Sequence, residues 1–160
     1  MKKEYSFHLL RIRELEITQK SPENNLLSPA GTEHQIQGNH SINYQWNIDK
    51  DFFSVLFNIV FIVDINGEDF KFFTSAHAID FHIEDLKNHL EVRSSNDFDM
   101  DETLEVTLVG ITISTMRGII FEKTKGMPFS NLLIPLFDPK EHTVTSKIKG
   151  LNKEKNSKKG

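Results

Sequence analysis

Seven histidines are the side chains best suited to chemistry in this chain, and their spacing limits what they can do. His77 and His82 lie five residues apart on one predicted strand, where a period of two puts them on opposite faces unless a bulge intervenes. His82 and Glu84 do share a face, but two ligands fall short of the three protein ligands a catalytic zinc takes. The acidic pairs Glu14/Glu16 and Asp99/Asp101 stand at a strand end and a helix start, where solvation and capping are the ordinary roles. Arg117, set among small and apolar residues, reads as a packed helical arginine paired with an acid. The eight glycines are scattered and form no phosphate cradle. No nucleophile elbow is present either. Cysteine is absent, which excludes disulfides, Cys-ligated zinc, iron–sulfur clusters and thiol catalysis. The chain therefore reads as a non-enzyme, with no catalytic residue, no metal site and no cofactor.

The elements that hold these side chains follow from periodicity. Residues 5–18 alternate loosely, with Phe7, Leu9, Leu15 and Ile17 on one face and His8, Glu14 and Glu16 on the other. Leu10 and Ile12 interrupt the polar face, which predicts a strand partly covered on both sides. Residues 19–40 hold Pro22, Pro29, Gly31 and Gly38 and predict a long irregular connection. Ile42, Tyr44, Trp46 and Ile48 then alternate with Asn43, Gln45 and Asn47, a second strand. From Phe53 to Ile65 every odd position is apolar and the even positions are mixed, as in a mid-sheet strand. Asn66-Gly67 follows, a hairpin signal because a type I′ turn needs positive φ at both central residues. The return strand, about 70–83, is apolar first at even positions (Phe70, Phe72, Ala76, Ala78) and later at odd ones (Ile79, Phe81, Ile83). That phase change predicts a bulge or sharp twist near Ala78.

Residues 85–99 are polar and acidic and predict no element. Asp99 or Asp101 can cap a helix, with Glu102 and Glu105 in its first turn and Lys123, Lys125 and Gly126 at its end. The interior pulls the other way, because Val106, Thr107, Val109, Ile111, Thr112, Ile113 and Thr115 are β-branched. Caps, length and the small residues Gly110, Ser114 and Gly118 favour a helix of about 24 residues. Pro128, Pro135 and Pro139 then punctuate an extended apolar segment from Phe129 to Phe137. Four strands followed by a long helix predict an α+β domain with a four-stranded antiparallel sheet.

The 160 residues suit one domain over 1–139, with a basic tail over 140–160. The tail carries seven lysines against Glu141 and Glu154, a balance of +5, so the net −4 leaves the body at −9. An acidic body disfavours nucleic acid, and the tail composition predicts a solvated, disordered end. The chain shows no signal segment and no long uninterrupted apolar run, so a cytoplasmic protein without membrane insertion is expected. Apolar residues exceed what one sheet and one helix can cover, and the surplus predicts an oligomer, a client, or both. Three readings remain open on these grounds: a holdase, a structural or adaptor homo-oligomer, and a small-ligand domain with a cavity between sheet and helix.

Several motifs, in order, resemble the SecB family of export chaperones. Phe7-His8-Leu9-Leu10-Arg11-Ile12, followed by Glu16-Ile17-Thr18, resembles its first strand, and Gly67-Glu68-Asp69 its third turn. Ser114-Thr115-Met116-Arg117-Gly118, then Lys123 to Pro128 and Leu133 to Pro139, resembles its long helix and the segment beyond. The similarity spans roughly 5–18 and 42–139 and is that of a divergent branch. It implies a SecB-like fold assembled as a dimer of dimers and an ATP-independent holdase for unfolded preproteins or for the antitoxin of a toxin–antitoxin system. Client grooves carried over by position are lined by Tyr44, Trp46, Phe72, Thr74 and Ala76. A docking face for the SecA motor would keep Glu16 and Phe73, while Lys20 and Ser75 replace two of its acids.

Overall fold

The computed structural model describes residues 4–21, 36–65, 67–94, 97–126, 134 and 138–143. Four long strands come first: β1 (Phe7–Gln19), β2 (Ile36–Asn47), β3 (Phe52–Ile65) and β4 (Glu68–Ile83). They form one antiparallel sheet in the order β1-β4-β3-β2, a Greek key in which the first strand lies beside the fourth. A small hairpin follows, β5 (Leu90–Ser94) and β6 (Asp97–Met100), and then one helix, α1 (Glu102–Thr124). This is the α+β architecture expected from the pattern, with two additions. The hairpin occupies a stretch that predicts no element, and β2 begins six residues ahead of Ile42, inside the expected irregular connection.

Directly opposed residues of antiparallel strands share a face, so the register sorts the side chains. The odd residues of β3, from Phe53 to Ile65, are all buried and lie under α1. Their partners on the same face include Trp46, Tyr44 and Ile42 of β2 and Phe81, Ile79, His77 and Phe73 of β4. Leu104, Leu108, Met116 and Ile120 of the helix complete this core. The outer face of the sheet carries Leu56, Val60 and Ile62, all half-buried, beside the small residues Thr74, Ala76 and Ala78.

Bulges correct two sequence expectations. In β4 the irregularity lies at Phe72, between Lys71 and Phe73, and not near Ala78. It places two adjacent phenylalanines on the buried face, 6.3 and 6.1 Å from the ring of Phe61. Ala76 and Ala78 lie on the outer face, small enough to be covered there by their neighbours, which is why they resembled core positions. In β1 the register shifts at Leu10 and at Leu15. Each shift moves the following residues by one position, so Ile12 joins Phe7 and Leu9 on the helix face and Glu14 follows it there.

The helix resolves its own conflict of propensities. Asp101 caps it by accepting from the Thr103 amide at 3.1 Å. The hydroxyls of Thr107, Thr112, Ser114 and Thr124 donate to the carbonyl four residues back, at 2.7 to 2.9 Å, which satisfies inside the helix the groups that otherwise compete with it. By length and composition α1 would also suit a membrane span, yet one side of it is buried against the sheet, as in a core helix. The left-handed φ of Gly67 (86°) is the turn conformation expected between β3 and β4, while Asn66 lies outside the described residues. So do the apolar segment 129–137, apart from the buried Ile134, and the basic tail beyond Thr143.

Candidate functional site

Edge strands and bulges produce the surface of interest. β1 is paired on one side only, and its two bulges leave Leu9, Leu10, Ile12 and Leu15 between 44 and 50 % exposed. At the opposite edge, β2 presents Tyr44 and Trp46 on the helix face, both half-buried. The β5–β6 hairpin packs on these rings through Phe98, which meets Trp46, Tyr44 and Phe53 edge-on at 5.0, 5.2 and 5.9 Å. Edge-to-face contact is the favoured geometry for aromatic pairs.

Beside this cluster opens a groove of about 930 Å³, lined by Leu10, Tyr44, Gln45, Trp46, Asn47, Lys50, Phe52 and Val92. The walls combine aromatic and aliphatic groups with the amides of Gln45 and Asn47 and the ammonium of Lys50 in nearly equal polar and apolar shares, so they can meet both the backbone and the apolar side chains of an extended chain. The Tyr44 hydroxyl donates to the His142 carbonyl at 3.0 Å. Burial, and then the charge and hydrogen bond of Glu105, push its ionisation well above the ordinary tyrosine range. Tyr44 therefore stays a neutral donor that ties the 138–143 segment to the sheet.

Polar groups elsewhere are structural in their geometry. Asp80, fully buried on the outer face, accepts from Arg11 Nε at 2.8 Å, Arg13 Nε at 2.7 Å and Ser54 Oγ at 2.7 Å. Burial alone would raise its ionisation, but the bonds from Arg13, Arg11 and Ser54 hold it below the usual carboxylate range. His77 is buried on the helix face, 3.1 Å from Ser75 Oγ and 4.0 Å from Glu14, which Lys123 approaches at 3.4 Å. Among the described residues no group of three or more His, Asp or Glu is placed to hold a metal ion.

The structure separates the groove residues carried over from the resemblance. Tyr44 and Trp46 lie together on the helix face. Thr74 and Ala76 lie half-buried on the outer face, and Phe72 is a core residue at 1 % exposure. The five do not line one groove within the protomer. The bulge at Phe72 is the reason, since it turns the strand over between Phe72 and Thr74. Glu16 is exposed opposite Ala76, while Phe73 is as buried as Phe72. Leu10, Phe52 and Val92 line the groove and Phe98 packs on Tyr44 and Trp46 beside it, and none of the four stands out as a site residue in the sequence. For Phe98 the signal existed, because Phe98 and Met100 alternate with Asp97 and Asp99, but four residues are too short a run to read.

The sheet order β1-β4-β3-β2 with one long helix across a single face defines the SecB-like fold. A solved structure with this fold is the Mycobacterium tuberculosis Rv1957 SecB-like chaperone in complex with a ChAD peptide from the Rv1956 HigA1 antitoxin. It is 13 % identical, with a TM-score of 0.54 over 82 % of this chain and 90 % of that one. A protein of unknown function from Streptococcus agalactiae also aligns, at 10 % identity and a TM-score of 0.42, over 84 % of this chain and all of the other. No protein-family model and no curated protein sequence matches the chain.

Proposed function

We propose that the protein is a holdase chaperone that binds extended apolar segments of unfolded proteins without nucleotide. The observation that carries this is the open aromatic groove at Tyr44 and Trp46 in a SecB-like fold. Its occupants are unfolded preproteins or an antitoxin, and the antitoxin peptide held by the mycobacterial neighbour favours the second. Glu16 on the outer face is the residue retained for SecA docking, since Phe73 is covered.

Magnitudes set the mode of holding. Covering roughly 400 Å² of client apolar surface contributes about 10 kcal/mol at ~25 cal/mol per Å². Immobilising the client costs about 4–15 kcal/mol, so one groove holds weakly. Several grooves on an oligomer raise the effective concentration of the next segment and make the holding tight. A homo-oligomer arranged as a dimer of dimers fits this need, and the outer side of α1 with its exposed Phe121 gives it surface to bury.

The test is suppression of aggregation of an unfolded reporter protein by the wild type and by Leu10→Ser/Val92→Ser. Both positions line the groove and are exposed, so the pair leaves the core intact. Protection by the wild type that falls several-fold in the double variant, with the assembly unchanged, is the expected result. No protection at stoichiometric excess, whether for a general reporter or for an antitoxin segment, would leave a structural homo-oligomer instead.

A further inference from the structure

We infer that the open edge of β2 is a strand-addition site, where an extended client segment pairs its backbone with that of Tyr44 and Trp46 as a further strand of the sheet. The inference rests on the chaperone function proposed above and deepens it, because the client is then selected by free amides in an extended stretch and not by side chains alone.

The groove is lined by four consecutive residues of β2, Tyr44, Gln45, Trp46 and Asn47. Successive side chains of a strand point to opposite faces, so a groove that touches all four runs along the edge of the strand and reaches its backbone. The register shows which backbone groups stand there. Asp51, directly before β3, accepts from the Ile83 amide at 2.9 Å. Residues of a strand turn their N–H and C=O to alternate sides, so Phe53 and Val55 also face β4, while Ser54 and Leu56 face β2. Their partners Gln45 and Asn43 face back towards β3. Tyr44 and Trp46, between and beyond these, present N–H and C=O outward. Among the described residues, no backbone group of another element bonds to them.

This edge is also unguarded. Over its twelve residues β2 has no register shift, no proline and no Lys, Arg, Asp or Glu. Edge strands are ordinarily blunted by charges, prolines or bulges, because an open row of donors and acceptors recruits other strands. The opposite edge of the same sheet is blunted in this way: β1 has two bulges and carries Arg11, Arg13, Glu14 and Glu16. The uncharged edge of β2 complements an uncharged extended segment, which strands no charge by pairing there. A single chain fits it better than a second folded copy. Antiparallel pairing of β2 with β2 of another copy would bring the Val92 wall of each against the other on one face of the sheet. Main-chain bonds serve clients of any sequence, and the rings of Tyr44 and Trp46 then grip alternate side chains.

The experiment uses the full chain and a soluble, unstructured peptide in which valine and threonine alternate, so that one face is apolar and the register is fixed. Two further peptides carry N-methyl groups on every second amide, one in each phase, which removes N–H donors and leaves the side chains as they were. Affinity is read from the fluorescence of Trp46, the one tryptophan in the chain. The expected result is a loss of affinity of at least about tenfold for one phase and of less than about twofold for the other, because only alternate amides face β2. Equal effects of the two phases, or none, overturn the strand pairing and leave a groove that binds by side chains, with the chaperone function standing. Absence of peptide binding while aggregation is still suppressed overturns it as well. A fall in mass by light scattering when the peptide binds means that a second copy held the edge, and overturns the client as its occupant. Absence of both peptide binding and aggregation suppression means that the chaperone function itself has failed.

Discussion

Asp80 shows how one residue anchors an edge strand. It is fully buried, yet it holds two arginines of β1 whose heads reach towards solvent, Arg11 more exposed than Arg13. Asp80→Asn keeps one acceptor oxygen but removes the charge and turns an NH2 donor towards Ser54 and the guanidinium groups, and it is expected to lower stability by about 2–4 kcal/mol in urea unfolding. The pH dependence has a definite sign. A carboxylate held below its usual range contributes stability above the unfolded value of about 3.9, and this is lost as pH falls through the folded value. Asp80→Asn should therefore flatten the acid limb of the stability profile. His77 acts in a neighbouring window. Burial is the main cause that holds it below the ordinary histidine range, with Lys123 lowering it further and Glu14 opposing. The unfolded chain then takes the proton first, so stability declines as pH drops below about 6.5 towards the folded value. His77→Gln should remove part of that decline, as followed by thermal unfolding at pH 7 and pH 5.

Among the elements, β4 decides which residues are available to a partner. Its bulge makes Phe72 a core side chain against Phe61 and sends Thr74 and Ala76 to the outer face. Phe72→Ala should therefore cost about 3–5 kcal/mol by opening a cavity. Thr74→Ala, at a half-buried outer position, should cost less than about 1 kcal/mol. Comparable small effects from the two substitutions in chemical denaturation would mean that Phe72 is not packed as described. The same bulge logic in β1 explains how a strand with a broken polar face keeps its register. Leu10 and Leu15 sit at the register shifts and are left at the surface, while Ile12 turns to the helix side.

At the scale of the whole molecule, Leu9, Leu10, Ile12, Leu15, Ile36, Val92 and Phe121 are the large apolar side chains left exposed among the described residues. The outer stripe of α1 runs through Thr107, Ser114, Gly118 and Phe121, small residues with one exposed ring. Small side chains at this spacing allow a second helix to approach closely, and Gly118 has open space around it. If the proposed homo-oligomer buries this stripe, Phe121→Glu reduces its mass by one step in light scattering while leaving the circular dichroism spectrum unchanged. An unchanged mass would place the subunit contact elsewhere, with the exposed row on β1 as the next surface to vary.

Local pattern alone established most of the elements. The odd-position apolar run of β3, the turn at Gly67 and the capped, small-residue helix were legible because each depends on residues close together in sequence. The α+β class and the SecB-like order of elements followed from them. Tertiary structure alone decided the faces. A bulge shifts every later side chain by one position, and neither Phe72 nor Leu10 differs in type from a regularly paired residue. It also brought Phe98 onto Tyr44 and Trp46, some fifty residues earlier in the chain, through a hairpin too short to carry a readable period. Periodicity reports which side of its own strand a residue occupies. Which other surface covers that side is set by packing between distant segments, and the groove is a product of that packing.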